Sequence, residues 1–234
     1  MGTIKDEEQN IDEKKKVYFF KKIKGILEKN GIEYWIEYGT LLGFLRDKKL
    51  IHWDHDIDLV ALDFEKVKKI IPKFEEMKFK TKLRWSKSKY NTQLLQIYAP
   101  DIKKSSFHID IYEFILINGK PARLETFKSN FLAKFLDISL GFIRKYGFIT
   151  NSINNIIEKL VDFFSLKRTL IFPKTETELL DFYDTKVRVP KNAEEHVRFL
   201  YGENWRIPNK NHRNIESGVT KYKKGSRWVC ELNE

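Results

Sequence analysis

The chain has 234 residues, of which 41% are hydrophobic and 33% charged, and its formal net charge is +11. This composition excludes an intrinsically disordered chain, and no apolar run approaches the roughly 20 residues of a membrane-spanning helix. The one cysteine, Cys230, excludes an internal disulfide and a zinc site built from cysteines. The N-terminal stretch is polar and shows no signal peptide. Together with the single cysteine, this predicts a cytoplasmic location.

Helices and strands are predicted to alternate from the first helix to residue 77. The helices follow from apolar residues at helical spacing, and the strands from β-branched and aromatic runs. Thr40 is expected to cap the second helix and Asp63 the third. The bounds, in the order helix, strand, helix, strand, helix, are Ile11–Asn30, Ile32–Tyr38, Leu41–Asp47, Asp56–Leu62 and Asp63–Met77.

The middle of the chain is predicted to add strands, and the C-terminal part to add helices. Asn118-Gly119 is a strong hairpin signal. The three strand-like runs before it are Phe79–Trp85, Thr92–Tyr98 and Phe107–Ile117. The helices predicted after it are Ala122–Tyr146, Asn151–Leu166 and Ala193–Tyr201.

This element order predicts an α/β (α+β) fold, in which a mixed sheet is flanked by helices and further helices follow toward the C-terminus. The predicted division is an N-terminal helix over residues 1–30, a catalytic core over 31–120 and a helical part over 121–234. The three parts are expected to pack as one compact domain.

The stretch WDHDIDLVAL carries an unusual set of acids. Asp54, Asp56 and Asp58 occupy alternate positions, so on a strand their carboxylates share one face and repel each other. The later strand HIDIYEF brings Asp110 and His108 to one face in the same way. Clustered hard oxygen ligands of this kind bind Mg²⁺ or Mn²⁺, which supplies the missing positive charge.

A Gly-Thr turn precedes the acidic strand. Gly39 lets the backbone approach a phosphate, and Thr40 stands where a helix begins, with its amides available to an anion. Arg46, near the end of that helix, is a candidate to hold a phosphate with its guanidinium fork. The turn, the acidic strand and the later strand aspartate, in this order, are the pattern of the nucleotidyltransferase fold.

Two longer segments carry a resemblance to a known family. YGTLLGFLRDKKLIHWDHDIDLVAL, over Tyr38–Leu62, resembles the LicD family, the choline-phosphate transferases that also look related to fukutin-type ribitol-phosphate transferases. VRVPKNAEEHVRFLYGENWRIP, over Val187–Pro208, resembles the V-P-x-N and Y-G-x-x-W-x-x-P segments of that family. The resemblance spans most of the chain, from Gly31 to Pro208.

The resemblance implies transfer of a substituted phosphate from a CDP-activated alcohol to a hydroxyl of a surface glycan or its lipid-linked precursor, with release of CMP. CDP-choline is the expected donor. Carried over to this chain, the metal ligands would be Asp56, Asp58 and Asp110, and Asp54 would lie just outside them. Asp110 would also be the first candidate to accept a proton. The residues at the phosphates would be Gly39, Thr40 and Arg46.

The chain departs from the family pattern at two positions. His55 replaces the middle acid of W-D-D-D-I-D, and His52 replaces the proline before Trp53. Strand alternation predicts that His55 faces away from Asp56 and Asp58, so the change need not harm catalysis. The zinc-binding cysteines of the fukutin type are absent, so the extra domain of that subfamily is not expected.

Other interpretations stay open at the level of residues. His108 is a metal ligand, a general base, or an ordinary core or rim residue. The same acids would serve a nucleotidyltransferase, which releases pyrophosphate instead of CMP. A non-catalytic basic module that binds lipid or nucleic acid is the third alternative, although no nucleic-acid motif is present. The candidate rings for an aromatic cage around a quaternary ammonium are Trp35, Tyr38, Trp53, Tyr112 and Trp205.

The stretch Phe127–Phe148 combines aromatic rings with basic residues. The helices predicted there either cover the sheet or lie on a membrane. The acceptor glycans of the family imply visits to the inner face of the cell membrane, so a transient contact with an anionic bilayer is expected. The basic residues that would make this contact are Lys128, Lys134, Arg144 and Lys145.

Overall fold

The computed structural model describes residues 4–84, 91–98, 107–127, 166–174, 176–210, 219–224 and 227–232. Within these ranges the fold is α+β, as the sequence predicts. The helices are α1 (Ile4–Lys29), α2 (Tyr38–Arg46), α3 (Phe64–Lys69), α4 (Ile71–Glu76) and α5 (Ala193–Tyr201). The strands before residue 130 are β1 (Trp35–Ile36), β2 (Asp56–Ala61), β3 (Lys80–Arg84), β4 (Leu94–Tyr98), β5 (His108–Glu113), β6 (Ile115–Ile117) and β7 (Lys120–Phe127). The later strands are β8 (Leu166–Ile171), β9 (Thr177–Phe182), β10 (Thr185–Pro190), β11 (Val219–Lys224) and β12 (Arg227–Leu232).

A five-stranded sheet in the order β1-β2-β5-β4-β3 forms the centre. The pair β2–β5 is parallel, whereas the other neighbours in this sheet are antiparallel. In the parallel pair Asp56 lies opposite His108 and Asp58 lies opposite Asp110. The register therefore brings the polar positions of the two strands to one face of the sheet.

The opposite face of β2 and β5 is aliphatic and belongs to the main core. Its residues alternate with the acids along the two strands, and each buried aliphatic side chain stabilises the fold by about 1.5–3 kcal/mol. The apolar stripe of α1 is buried in the same core cluster. The strand residues are Ile57, Leu59, Ile109 and Ile111, and those of α1 are Phe19, Phe20, Ile23 and Leu27. Core burial thus fixes which face the acids occupy.

A second five-stranded sheet, in the order β11-β12-β8-β7-β6, and the hairpin β9–β10 complete the described fold. A smaller core cluster joins residues of both five-stranded sheets to α5, among them Trp35, Phe114, Leu170 and Phe199. In this cluster, strands of both sheets and α5 therefore share buried side chains. Among the described residues no helix is long and apolar enough to cross a bilayer.

The run Phe107–Ile117, predicted as one strand, is two strands in two different sheets. The chain leaves the central sheet after Glu113 and passes through Phe114, whose ring is fully buried in the smaller core cluster. The predicted turn at Asn118-Gly119 is confirmed, with φ of 51° and 75° at the two residues. These positive φ values are those of a two-residue hairpin loop.

The prediction that a helix begins at Ala122 is wrong, because the residues up to Phe127 belong to the strand β7. The hairpin loop sends the chain back along β6, with Ile117 opposite Lys120, and β8 then pairs with the other edge of β7. Cross-strand pairing thus overrides the helical propensity of this short stretch. The rest of that helix, to residue 146, lies outside the described residues. So does the helix predicted over 151–166 except for Leu166, which opens β8.

Two helix predictions are corrected in detail. Thr40 lies inside α2, which begins at Tyr38, so it does not cap the helix. The helix predicted over Asp63–Met77 divides at Ile70 into α3 and α4, because Pro72 cannot continue the hydrogen-bond ladder of α3. The Asp63 cap is confirmed, since its carboxylate accepts the N–H of Lys66 at 3.2 Å. The helix Ala193–Tyr201 is confirmed as predicted.

Candidate active site

The acids predicted to cluster do lie together on the polar face of β2 and β5. Asp58 and Asp110 are 5% and 4% exposed, and Asp56 is half-buried at the edge of the cluster. One ligand atom each from Asp56, His108 and Asp110 lies within 4.8 Å of the other two. His108, whose role the sequence leaves open, is part of this trio, and Asp58, which the resemblance implies as a ligand, lies opposite Asp110 on β2.

The electrostatics of the cluster favour the uncharged forms of two acids. Burial raises the pKa of Asp56 to about 7, and the neighbouring carboxyls of Asp54 and Asp110 add to the shift. Burial, with Asp56 and the other acids, also raises the pKa of Asp58 well above its ordinary value. A divalent cation would remove both penalties, because it neutralises the carboxylates where they crowd. The residues present therefore fit Mg²⁺ or Mn²⁺.

Hydrogen bonds from β4 and from β5 itself fix the orientation of Asp110. Gln96 Nε2 donates to Asp110 Oδ1 at 3.1 Å, and the Tyr112 hydroxyl donates to Oδ2 at 3.1 Å. His108 Nε2 lies 3.2 Å from Oδ1, and its ring stacks on Tyr98. Such partners orient a ligand before any ion binds. Gln96 was not predicted, although a Gln at the centre of the apolar strand LLQIY is a usable signal.

The Gly-Thr turn is built tightly against the acids. The Gly39 N–H donates to Asp58 Oδ2 at 3.2 Å, and a Cβ at Gly39 would lie 2.4 Å from Asp54 Oδ2. A side chain at this position would require the Asp54 carboxylate to move. Thr40 is 3% exposed, and its hydroxyl oxygen accepts the N–H of Asp58 at 2.8 Å. Thr40 therefore anchors the acidic strand to α2, which is a role the sequence did not predict.

The two arginines near the turn differ in their surroundings. Arg46 donates to its neighbour Asp47 from Nε at 2.9 Å and from Nη2 at 2.7 Å, so its fork already holds a carboxylate. Arg123, on β7, donates to the Tyr38 hydroxyl at 3.0 Å, and its guanidinium lies 4.2 Å from the centre of the Tyr112 ring. Arg123 thus borders the acids. It was missed because its segment was predicted to be helical.

His55 has an exposed side chain, as alternation predicts, and lies outside the trio of candidate ligands. Its main chain holds the start of β5, since its carbonyl accepts the N–H of His108 at 3.2 Å.

We expect His55→Ala and His55→Asp to keep turnover within about twofold of the wild type, since exposed substitutions away from special features cost under about 0.5 kcal/mol. Titration of Mn²⁺ affinity checks the assignment: weaker binding by His55→Ala would place the imidazole among the ligands.

A divalent cation is expected to stabilise the protein, and more so at pH 8 than at pH 5. The pKa of Asp56, near 7, means that the folded protein must lose a proton to bind an ion at pH 5 but not at pH 8. At a Mn²⁺ concentration of 100 times Kd the gain in unfolding free energy is about 2.7 kcal/mol. Thermal unfolding with Mn²⁺ and with EDTA at both pH values measures the effect. An unchanged melting temperature at pH 8 would contradict the assignment.

Comparison with known proteins gives a family match and several relatives. The family model described as LicD/FKTN/FKRP, nucleotidyltransferase domain, matches residues 31–192. An uncharacterized protein of Rickettsia prowazekii (strain Madrid E) is 29% identical over 154 residues, which cover 62% of this chain and 53% of that protein. Ribitol 5-phosphate transferase FKRP of Homo sapiens is 49% identical over 37 residues, which cover 16% of this chain and 8% of that protein. The chain thus spans about half the length of the first of these curated relatives and far less of the second.

Proposed function

The chain belongs to the LicD/FKTN/FKRP family, and from this premise we propose that it is a metal-dependent phosphotransferase. It would move a substituted phosphate from a CDP-activated alcohol to a hydroxyl of a glycan and release CMP. The observation that carries the proposal is the trio Asp56, His108 and Asp110, with Asp58 beside it under the Gly39 amide. A cluster in which burial and neighbouring acids raise the pKa of Asp56 and Asp58, next to a tight glycine turn, suits a bound cation and a phosphate together.

Each acidic side chain of the cluster has its own role in the proposed reaction. Asp56, His108 and Asp110 would hold the ion, with Asp58 beside them, and the ion would neutralise charge on the phosphoryl group during transfer. Asp58 holds the Gly39 turn at a fixed distance, so the turn can meet the donor phosphates without rearrangement. Asp110 is better suited to be a ligand than a proton acceptor, because both of its oxygens already accept hydrogen bonds.

The nature of the donor alcohol depends on the rings near the acids. Choline needs an aromatic cage that is open to a cation. Trp35 is buried against Phe114 in the core, so it cannot line such a cage. The rings of Trp53 and Trp205 each carry an arginine guanidinium, at 6.0 Å and 4.1 Å from the ring centres.

The remaining two rings lie directly beside the acids and already hold a cation. Tyr38 and Tyr112 pack with ring centres 5.0 Å apart, and the Arg123 guanidinium lies over both of them. This arrangement favours an uncharged, hydroxyl-rich alcohol over choline. The match to a ribitol 5-phosphate transferase supports the same choice, so we place CDP-ribitol ahead of CDP-choline as donor.

Product analysis tests the proposal and its nearest alternative. The purified chain would be incubated with Mg²⁺, a glycan acceptor and one of CDP-ribitol, CDP-glycerol, CDP-ethanolamine or CDP-choline, and the products identified by mass spectrometry. A phosphotransferase yields CMP and an acceptor that carries the alcohol phosphate. In a parallel reaction with CTP in place of the CDP-alcohol, a nucleotidyltransferase would instead yield pyrophosphate and an acceptor that carries CMP. Formation of the second pair of products alone would refute the proposal.

Contact with an anionic membrane stays a prediction, because Lys128, Lys134, Arg144 and Lys145 lie outside the described residues. Each basic group near an anionic bilayer contributes about 1 kcal/mol, and the attraction is screened by salt. We expect binding to anionic liposomes at low salt that is lost at high salt and in the variant with all four changed to Gln. Cosedimentation measures it, with neutral liposomes as control. A wild type that stays in the supernatant at low salt would contradict the prediction.

A further inference from the structure

A fully buried pair of polar side chains, Glu37 and His196, joins α5 to the Gly39 turn. Glu37 and His196 are both 0% exposed, and His196 Nδ1 lies 2.9 Å from Glu37 Oε2. The indole Nε1 of Trp35 donates to the same oxygen at 2.8 Å. A carboxylate that accepts from the imidazole and the indole satisfies both contacts. Burying these groups costs free energy unless they are paired, so the pair holds α5 to the start of α2.

The turn beside Glu37 is strained. Tyr38 has a φ of 51°, which is in the left-handed region that a large side chain seldom adopts. Strain of this kind persists only where the surroundings hold the backbone from several sides. The main chain of Glu37 is also fixed, because its N–H donates to the carbonyl of Asp58 at 3.1 Å and its carbonyl accepts the N–H of Leu41 at 3.2 Å.

The next residue along the turn meets the acids directly. Gly39 donates its N–H to the carboxylate of Asp58, one residue beyond the strained Tyr38. A shift of the Glu37 backbone would therefore move the Gly39 amide away from Asp58. His196, which fixes Glu37 from the other side, lies beyond residues 31–192 that the family model matches. Through Glu37 and the Gly39 amide, α5 is thus connected to the acidic cluster.

We propose that Glu37 and His196 are positioning residues, which hold the strained Glu37-Tyr38-Gly39 turn so that its amide orders the carboxylates for the cation and the donor phosphate. The inference rests on the proposed function, since it assigns the pair to that same site. Removal of one partner leaves the other buried without its contact, which loosens the turn. The site then loses order even where the protein remains folded.

The test compares Glu37→Gln, His196→Asn and the double variant with Phe74→Leu, a core change in α4 that lowers stability without touching the turn. Mn²⁺ affinity is measured by titration calorimetry, stability by thermal unfolding, and kcat and KM with the CDP-alcohol that the wild type uses. We expect the pair variants to lose about 10-fold in Mn²⁺ affinity and in kcat, with KM nearly unchanged. The double variant should lose no more than either single variant, because the two residues act as one unit.

Phe74→Leu should lower the melting temperature to a similar degree and keep the Mn²⁺ affinity and kcat of the wild type. If the pair variants behave like Phe74→Leu, the pair is structural only and the inference is wrong. Mn²⁺ affinity requires no substrate, so a wild type that binds the ion but turns over no CDP-alcohol would refute the proposed function and leave the positioning role open to the same titration.

Discussion

Asp56→Asn and Asp110→Asn are each expected to lower turnover by about 10³-fold while the protein stays folded. Each change removes a negative charge from the set that would hold the cation, and the charge stabilisation that a metal gives a transition state is worth roughly 4 kcal/mol. Asn keeps the size of the side chain, so packing is preserved. Asp181→Asn is the matched control, because that carboxylate is exposed on β9 and pairs with Lys186 at 3.1 Å.

The stability of Asp56→Asn gives an independent check on the same site. Without metal, the unfolded Asp56 ionises near 3.8 and the folded one near 7, so this carboxyl lowers folding stability as pH rises through that window. Asn does not ionise. The variant should therefore unfold at a higher temperature than the metal-free wild type at pH 8, and at a similar temperature at pH 4. A near-normal turnover in the purified variant would remove Asp56 from the metal site.

Gly39→Ala is expected to reduce turnover by about 10²-fold or more and to weaken metal binding. The added Cβ would lie 2.4 Å from Asp54 Oδ2 and 3.5 Å from Asp58 Oδ2, so either the turn or the carboxylates must move. A misplacement of about 1 Å in a catalytic arrangement can cost about 10²-fold. Kinetics together with Mn²⁺ titration measure both effects.

Gly25→Ala is the control for this change. Gly25 lies inside α1, and among the described residues no atom outside its own stretch of helix lies within 4 Å of its added Cβ, so alanine should keep activity and stabilise the helix by up to about 1 kcal/mol. The double variant Gly39→Ala/Asp54→Gly removes the clash and should regain the stability that Gly39→Ala loses. No recovery of stability in the double variant would show that steric contact with Asp54 is not the cause.

The acidic strand was predictable from sequence because two constraints coincide on it. Ile57 and Leu59 demand a buried face, and a side-chain period of two then places Asp56 and Asp58 on the other face. The same reasoning on HIDIYEF placed Asp110. The parallel register that sets His108 opposite Asp56 depends on pairing between distant segments. The sequence alone therefore leaves open whether His108 is a metal ligand.

Other parts of the site depend on contacts that no local pattern contains. Arg123 reaches the acids because β7 is held between β6 and β8, whereas its local sequence has the composition of a helix. Glu37 and His196 are 159 residues apart, and both are polar types that are expected at the surface. Their burial follows from the packing of α5 against α2. The role of Arg46 at the phosphates stays a prediction, and in the structure its guanidinium donates to the neighbouring Asp47.

Crystals grown with Mn²⁺ and CDP-ribitol, with data collected at the manganese absorption edge, test the assignment of the site most directly. We expect an anomalous peak within bonding distance of Asp56, His108 and Asp110, with the donor phosphates between that ion and the Gly39 turn. Anomalous density elsewhere, or a donor bound with its phosphates away from this turn, would contradict the assignment of these acids as the centre of a metal-dependent phosphotransferase.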